Sequence, residues 1–238
     1  VLLVGLLAIY RSVSAQVALS QRRSQFASAV THELKTPLTT IRMYVEMLKQ
    51  GMAGDPQRQQ HYFRVLETES DRLGRLINNV LELSRLEKRQ RPLTYTSGNL
   101  SEVIEKVITT LGPQLEAAGF DFEVQNRLKG PFAYDAEVLV QVLINLVENS
   151  LKFGRGSDRK AILLTIAMQA DNVRLAVKDS GPGIPREDLR RIFDDFYRAE
   201  DEMTRTTTGT GIGLALVKRF MDAMGGRVTA RNNPEGGC

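Results

Sequence analysis

Residues 136–153 read AEVLVQVLINLVENSLKF, and their pattern decides the fold. Leu139, Leu143, Leu146 and Val147 recur at helical spacing on most faces, so a helix formed here has to be buried. The exception is a polar strip: Asn145, Asn149 and Lys152 stand at i, i+4 and i+7 on one face. On a buried helix such a strip faces a cavity or forms a polar network in the core, because a buried amide needs partners. A carboxamide oxygen is also a hard ligand suited to Mg²⁺.

The flanking sequence supplies the layers around that helix. Residues 100–115 are helical by periodicity, and 120–124 alternate like a strand. Residues 161–168 and 173–179 form an expected strand pair about a turn at Asp171 and Asn172. A helix over 212–224 follows, then Gly225 and Gly226 and an expected strand at 227–230. Helices and strands mixed in this order imply an α/β sandwich, with helices on one side of a mainly antiparallel sheet.

Two glycine-bearing stretches adjoin these elements. In 179–185, DSGPGIP, Asp179 shares the parity of Val173, Leu175 and Val177, so its carboxylate points to the apolar side. A carboxylate there is costly unless it accepts hydrogen bonds, and an adenine amino group would satisfy it. Gly181 and Gly183 let the backbone turn tightly beside a ligand. In 209–213, GTGIG, small residues open a helix whose N-terminal N–H groups can approach phosphates. No strand leads directly into this stretch, so it does not fit a dinucleotide-binding unit. Between the two, 198–208 (RAEDEMTRTTT) lacks apolar periodicity and reads as a flap. Lys152, Arg198 and Arg205 are the nearby cations for phosphate charge.

The N-terminal half is different. Phe26, Val30, Leu34, Pro37, Ile41, Val45 and Leu48 mark one apolar helix face that stops at Gly51. Asp55 then reads as an N-cap with Pro56 in the first turn of a second helix. There Leu66, Leu73 and Val80 form one heptad row, and Phe63, Ser70, Ile77 and Ser84 another. The second helix should end near Arg91 and Pro92. One hairpin covers such stripes poorly, so a homodimeric four-helix bundle through residues 20–90 is expected.

His32 lies about 200° round the helix from both Val30 and Leu34, so it should face solvent. An exposed imidazole is a usable nucleophile near neutral pH. Glu33 beside it can accept a proton, and Thr36 one turn on shares its face. Pro37 removes the hydrogen bond to the Glu33 carbonyl. On this segment alone, a surface histidine on a kinked coiled-coil helix is an equal reading. His61 and the methionines Met43 and Met47 read as surface and packing residues.

Composition narrows the rest. The chain has 238 residues, long enough for two domains, and a net charge of +4 with no basic block, so no nucleic-acid partner is expected. A single cysteine, Cys238, excludes a disulfide framework and a Cys-based zinc site, and two histidines exclude a multi-His metal site. Residues 1–10, VLLVGLLAIY, carry no charge and precede Arg11, Arg22 and Arg23. They are too few for a span of about 20 residues, and are expected to be the end of a transmembrane helix with a cytoplasmic flank, the other reading being an apolar stretch of coiled coil at the helix start.

Together these stretches carry a resemblance. Residues 26–38, FASAVTHELKTPL, resemble the H box of a sensor histidine kinase, and 145–153 its N box. Residues 179–183 resemble the first Gly box, 192–198 (IFDDFYR) the F box and 209–214 the second Gly box, in the family's order. The resemblance implies an α+β chain. Residues 1–12 would end a transmembrane helix, 13–92 form a dimerisation and histidine-phosphotransfer hairpin, and 93–238 an ATP-binding domain of the gyrase/heat-shock-chaperone type.

It further implies that His32 accepts the γ-phosphoryl group of ATP and passes it to an aspartate of a response-regulator receiver domain. Glu33 would be the base, and Thr36 would position water for regulator dephosphorylation. Asp179 would bind adenine, Asn149 would hold Mg²⁺ with Asn145 as a second ligand, and Lys152 and Arg198 would meet phosphates. Phe153, Gly181, Gly183, Phe193, Phe196, Gly209, Thr210, Gly211, Ile212, Gly213 and Leu214 would line the nucleotide site. The expected location is the bacterial inner membrane, catalytic part cytoplasmic.

Two departures stand out: Phe153 replaces a frequent Tyr, and the chain stops at Gly236, Gly237 and Cys238, where the family has one more strand. The competing readings are an ATP-hydrolysing switch of the same superfamily and a catalytically silent dimeric scaffold. The hydrolysing relatives carry a Glu base where this chain has Asn145.

Overall fold

The computed structural model describes residues 2–88, 92–195, Tyr197 and 211–238. It divides into two compact units, Val1–Asn78 and Asn79–Cys238. Two helices supply the first: α1, Leu2–Lys49, and α2, Pro56–Glu87, whose last turns belong to the second unit. Helix α1 runs through Pro37, which is buried. Around that missing donor, Thr39 Oγ donates to the Lys35 carbonyl (2.8 Å) and Thr40 Oγ to the Thr36 carbonyl (3.2 Å). No helix among the described residues is long and apolar enough to cross a membrane.

The turn between α1 and α2 follows its sequence signals. Gly51 has φ +69°, with its N–H on the Leu48 carbonyl (3.1 Å) and the Met52 N–H on the Met47 carbonyl (3.0 Å). That is the left-handed stop expected of a glycine after a helix. Asp55 Oδ1 then accepts from the Arg58 N–H at 2.7 Å, capping α2.

Along α2, burial within the single chain differs from row to row. Leu66, Leu73 and Val80 are only half-buried, while Phe63 and Ile77 are exposed. The most buried row is Tyr62, Leu76 and Leu83. It was hidden because Glu69 occupies its second position, breaking the apolar repeat.

Among the described residues, the second unit contains two small sheets and three more helices. Strand β1 is Tyr95–Gly98, followed by α3, Ser101–Ala117. Strands β2, Asp121–Asn126, and β3, Phe132–Asp135, lead into α4, Ala136–Gly154. Strands β4, Ala161–Gln169, and β5, Asn172–Asp179, precede α5, Gly213–Ala223. Strand β1 pairs antiparallel with β3, while the three-stranded sheet has the order β2-β4-β5. Within it β2 and β4 are parallel, so the sheet is mixed rather than mainly antiparallel. The parallel pair arises because β3 and α4 intervene between its strands, the long connection a parallel pair requires.

Alternation along β4 sends Ile162, Leu164 and Ile166 into the core. There they meet Val103, Val107, Leu111 and Leu115 of α3 and Leu139, Leu143, Val147 and Leu151 of α4. Helix α5 packs on α4 and buries Leu216, Val217 and Phe220.

Two further expectations change. The β4–β5 turn is Ala170 and Asp171, one residue earlier than expected, since Gln169 pairs with Asn172. Residues 227–230 are not a strand; no described strand offers them a ladder.

Asp135, at the end of β3, joins the approach to β1 and the start of α4 at one point. Its buried carboxylate caps α4 through the Val138 N–H (3.0 Å) and accepts from the Thr94 N–H ahead of β1 (2.8 Å). Asp135→Ala strands both donors and should cost about 2 kcal/mol. A urea melt of the chain should show an earlier midpoint for this variant; coincident curves would mean that the clamp contributes nothing.

Candidate functional site

The first candidate site lies on α1. His32 and Thr36 are both exposed, one turn apart, and the Thr36 hydroxyl donates weakly to the His32 carbonyl at 3.4 Å. The solvent-facing position expected for His32 is the observed one. Glu33 is turned from solvent: its side chain is 13% exposed, and Oε2 is 3.3 Å from the guanidinium of Arg72 on α2. Arg72 also approaches Glu69 at 3.6 Å. The sequence reading missed Arg72, because its partner is 39 residues away and no local spacing marks it.

The second candidate site is built on α4, β5 and the start of α5. Asp179 ends β5 opposite Ile162, on the face that looks to α4, as its parity implied. Its Oδ1 accepts from the Gly181 N–H (2.9 Å) and the Cys238 N–H (3.2 Å). Ser150 Oγ, on α4, is 3.3 Å from Asp179 Oδ2 and 3.1 Å from the Leu146 carbonyl. Ser150 was also missed: it directly follows Asn149 in sequence but lies about 100° round the helix from the polar strip. Burial and the Asp179 charge push the Cys238 thiol up from its ordinary value.

The loop after Asp179 is pinned at both ends. Ser180 Oγ accepts the Ala161 N–H (2.9 Å) and donates to the Arg159 carbonyl (2.6 Å). Asn232 holds Ile184 from both sides, accepting its N–H (2.8 Å) and donating to its carbonyl (2.6 Å). Gly183 between these anchors has φ +80°, and a side chain there would meet Asn232 Oδ1 at 3.2 Å. Asn232 lies 48 residues from Ile184, and no sequence signal marked it.

On α4, Asn145 is 8% exposed and its Nδ2 donates to the Gln141 carbonyl at 2.8 Å. Its Oδ1 lies only 2.9 Å from where a Cβ on Gly213 would stand, so glycine lets the first turn of α5 close on the amide. Asn149 is half-buried on the same strip. Lys152 Nζ sits 4.3 Å over the ring of Phe153, which is itself exposed. Ile212 precedes α5 without a side-chain cap, leaving first-turn N–H groups to other acceptors. Gly211 is left-handed at φ +67°, Ile212 is buried and Leu214 half-buried.

Phe193 is buried beside Ile192, and Tyr197 donates to the buried Asp188 while stacking on Arg191. That hydrogen bond raises the Tyr197 phenol above its usual value. Asp195 pairs with Arg219 of α5 at 2.8 Å. Phe196, Arg198, Arg205, Gly209 and Thr210 lie outside the described residues.

Among the described residues no group of three or more His, Cys, Asp or Glu side chains could hold a metal. A cation here would be held by the Asn145 and Asn149 amide oxygens together with phosphate oxygens. Mg²⁺ suits such a site, because it keeps few protein ligands and uses substrate phosphates.

Comparison with known proteins agrees with this geometry. Residues 22–89 match the His Kinase A (phospho-acceptor) domain, and 134–238 match the histidine kinase-, DNA gyrase B-, and HSP90-like ATPase. The sensor protein kinase WalK of Staphylococcus haemolyticus is 31% identical over 235 residues, 98% of this chain and 38% of WalK. The chain therefore spans little more than a third of that relative's length. Full-length ShkA, solved in complex with AMPPNP, superposes with a TM-score of 0.62 at 25% identity, covering 90% of this chain and 44% of that one. Histidine kinase ThkA, solved with the response regulator TrrA, shares the fold at a TM-score of 0.64 and 24% identity, covering 91% and 61%. With a phosphoacceptor hairpin and an ATPase-type domain in one chain, the protein belongs to the sensor histidine kinases and carries their catalytic core.

Proposed function

We propose that this chain binds ATP between α4, β5 and α5, transfers the γ-phosphoryl group to His32, and passes it to an aspartate of a response regulator. The observation that carries this reading is His32 itself: an exposed imidazole within the phosphoacceptor domain, next to a carboxylate that Arg72 engages. An imidazole nitrogen attacks the γ-phosphorus, the bond to the β-phosphate oxygen breaks, and ADP leaves. Glu33 takes the ring proton. Asn145, where hydrolysing relatives of the superfamily carry Glu, has no acid-base capacity, so water is poorly activated and the imidazole is the better nucleophile.

In the pocket, Asp179 accepts a hydrogen bond from the adenine amine, and Asn149, with Asn145 beside it, holds Mg²⁺. That cation, when bound, offsets the charge of the phosphates. Lys152 and Arg198 add positive charge, and the glycines from Gly209 to Gly213 let backbone N–H groups approach. Phe153, Phe193, Ile212 and Leu214 are assigned to its walls, with Gly181 and Gly183 turning the loop after Asp179. We take residues 13–92 as the dimerising hairpin and 93–238 as the nucleotide domain. Exposed Phe63 and Ile77 on α2 support a homodimer. The uncharged run 1–10 ahead of Arg11 supports attachment at the bacterial inner membrane with the catalytic part on the cytoplasmic side.

Two variants separate the halves of this reading. His32→Gln should abolish self-labelling from γ-labelled ATP and keep nucleotide affinity. Asp179→Asn should weaken ATP binding about 10- to 100-fold by calorimetry, because it replaces a charged acceptor worth about 1.5–3 kcal/mol. Label persisting on His32→Gln would identify another acceptor; unchanged affinity of Asp179→Asn would remove Asp179 from the pocket.

Thr36 is assigned to the reverse traffic. Its hydroxyl shares the exposed face of His32 and aligns a water for in-line attack on a docked phospho-aspartate, a positioning role. Thr36→Ala should keep self-labelling and slow the decay of purified phospho-regulator with the kinase and ADP present. Equal decay rates would exclude the role, and loss of labelling would tie Thr36 to the helix geometry at Pro37 instead.

A further inference from the structure

Glu33 cannot be treated as a surface carboxylate. Its side chain is 13% exposed and those of Arg72 and Glu69 are 25% and 20% exposed, so the three sit in a partly dry cluster. One guanidinium serves both acids: Nη2 is 3.3 Å from Glu33 Oε2 and Nη1 is 3.6 Å from Glu69 Oε2. Glu69 stands in the heptad row of the buried Tyr62 and Leu76, and its Oε2 is buried without a hydrogen-bond donor. An acid in that row is costly unless a cation stays beside it, which ties Arg72 to its position on α2.

The planar fork of an arginine has its donor directions set in advance, unlike the point charge of a lysine. A carboxylate engaged through one oxygen has its plane and its second oxygen oriented by that contact. Neighbouring residues on a helix point about 100° apart, so Glu33 does not face His32 by helix geometry alone. A group on another helix is needed to orient it toward His32, and Arg72 of α2 is in contact with it.

We propose that Arg72 is a positioning residue for phosphoryl transfer: α2, through Arg72 and its anchor Glu69, sets the Glu33 carboxylate that receives the His32 ring proton. This rests on the phosphotransfer reading above. Arg72 touches neither nucleotide nor reacting atoms, and takes no part in the bonds that form and break. A purely structural alternative makes the same ion pair a clip that only holds the hairpin together.

Initial rates of His32 labelling against ATP concentration, with Mg²⁺, separate the two. Arg72→Gln should lower kcat about 10- to 100-fold with an unchanged KM for ATP, the scale of a misplaced catalytic group. Arg72→Lys, which keeps the charge and loses the fork, should recover part of that rate and serves as the test if Arg72→Gln loses helical circular dichroism. In a Glu33→Gln background, Arg72→Gln should cost nothing further. A rate in Arg72→Gln equal to or above wild type, or the same fold-loss with and without Glu33, would overturn the proposal. Absence of label from the wild-type chain would instead overturn the phosphotransfer reading, and the role of Arg72 with it.

Discussion

A carboxylate placed on the inner face of a sheet has to be satisfied, and the nucleotide-binding unit is organised around meeting that need for Asp179. Its position follows from strand parity, because β5 alternates and Asp179 falls opposite Ile162. The Gly181 and Cys238 N–H groups and the Ser150 hydroxyl gather round it. Each of these demands something else. Gly181 can lie so close because a Cβ there would stand 3.0 Å from Asp179 Oδ1. Ser150 requires α4 to cross behind β5 in a register that also sets Asn145 and Asn149. The Gly183 turn needs Asn232 to hold it. The carboxylate, the polar strip of α4 and the glycine loops are parts of one solution.

The hairpin solves a different problem. In the proposed function a phosphoacceptor must be reachable, as the exposed His32 is, and its proton acceptor must not wander. Exposure and order are supplied by different helices: α1 presents the imidazole, and Arg72 of α2 engages the neighbouring carboxylate. Asn145 makes a matching division in the other unit. In the proposed function an amide there would bind and orient without taking a proton, leaving the phosphoryl group for a nucleophile that is not water.

What could be read from the sequence was what is local. The helix stop at Gly51, the cap at Asp55 and the helices on either side depend on neighbours a few residues away, and the structure has them. Asp179 was legible through strand alternation, and Asn145 and Asn149 through helical spacing. What escaped depends on distant partners. Arg72 meets Glu33 from another helix, and Asn232 meets Ile184 across 48 residues. The row of Tyr62 and Leu76 was masked by Glu69, an acid that pairs with that same arginine. Residues 227–230 have strand-like composition, but a strand exists only where a ladder partner does. The sheet was expected to be mainly antiparallel, because the hairpin of β4 and β5 is visible locally while the parallel pairing of β2 with β4 is not.

The central claim is that phosphate leaves ATP for an imidazole. The most direct measurement is the chemistry of the bond formed when the wild-type chain is incubated with γ-labelled ATP and Mg²⁺. A phosphorus–nitrogen bond to His32 gives label that survives alkali and is lost in acid. Acid-stable label would place the phosphate on a serine or threonine hydroxyl and contradict the claim.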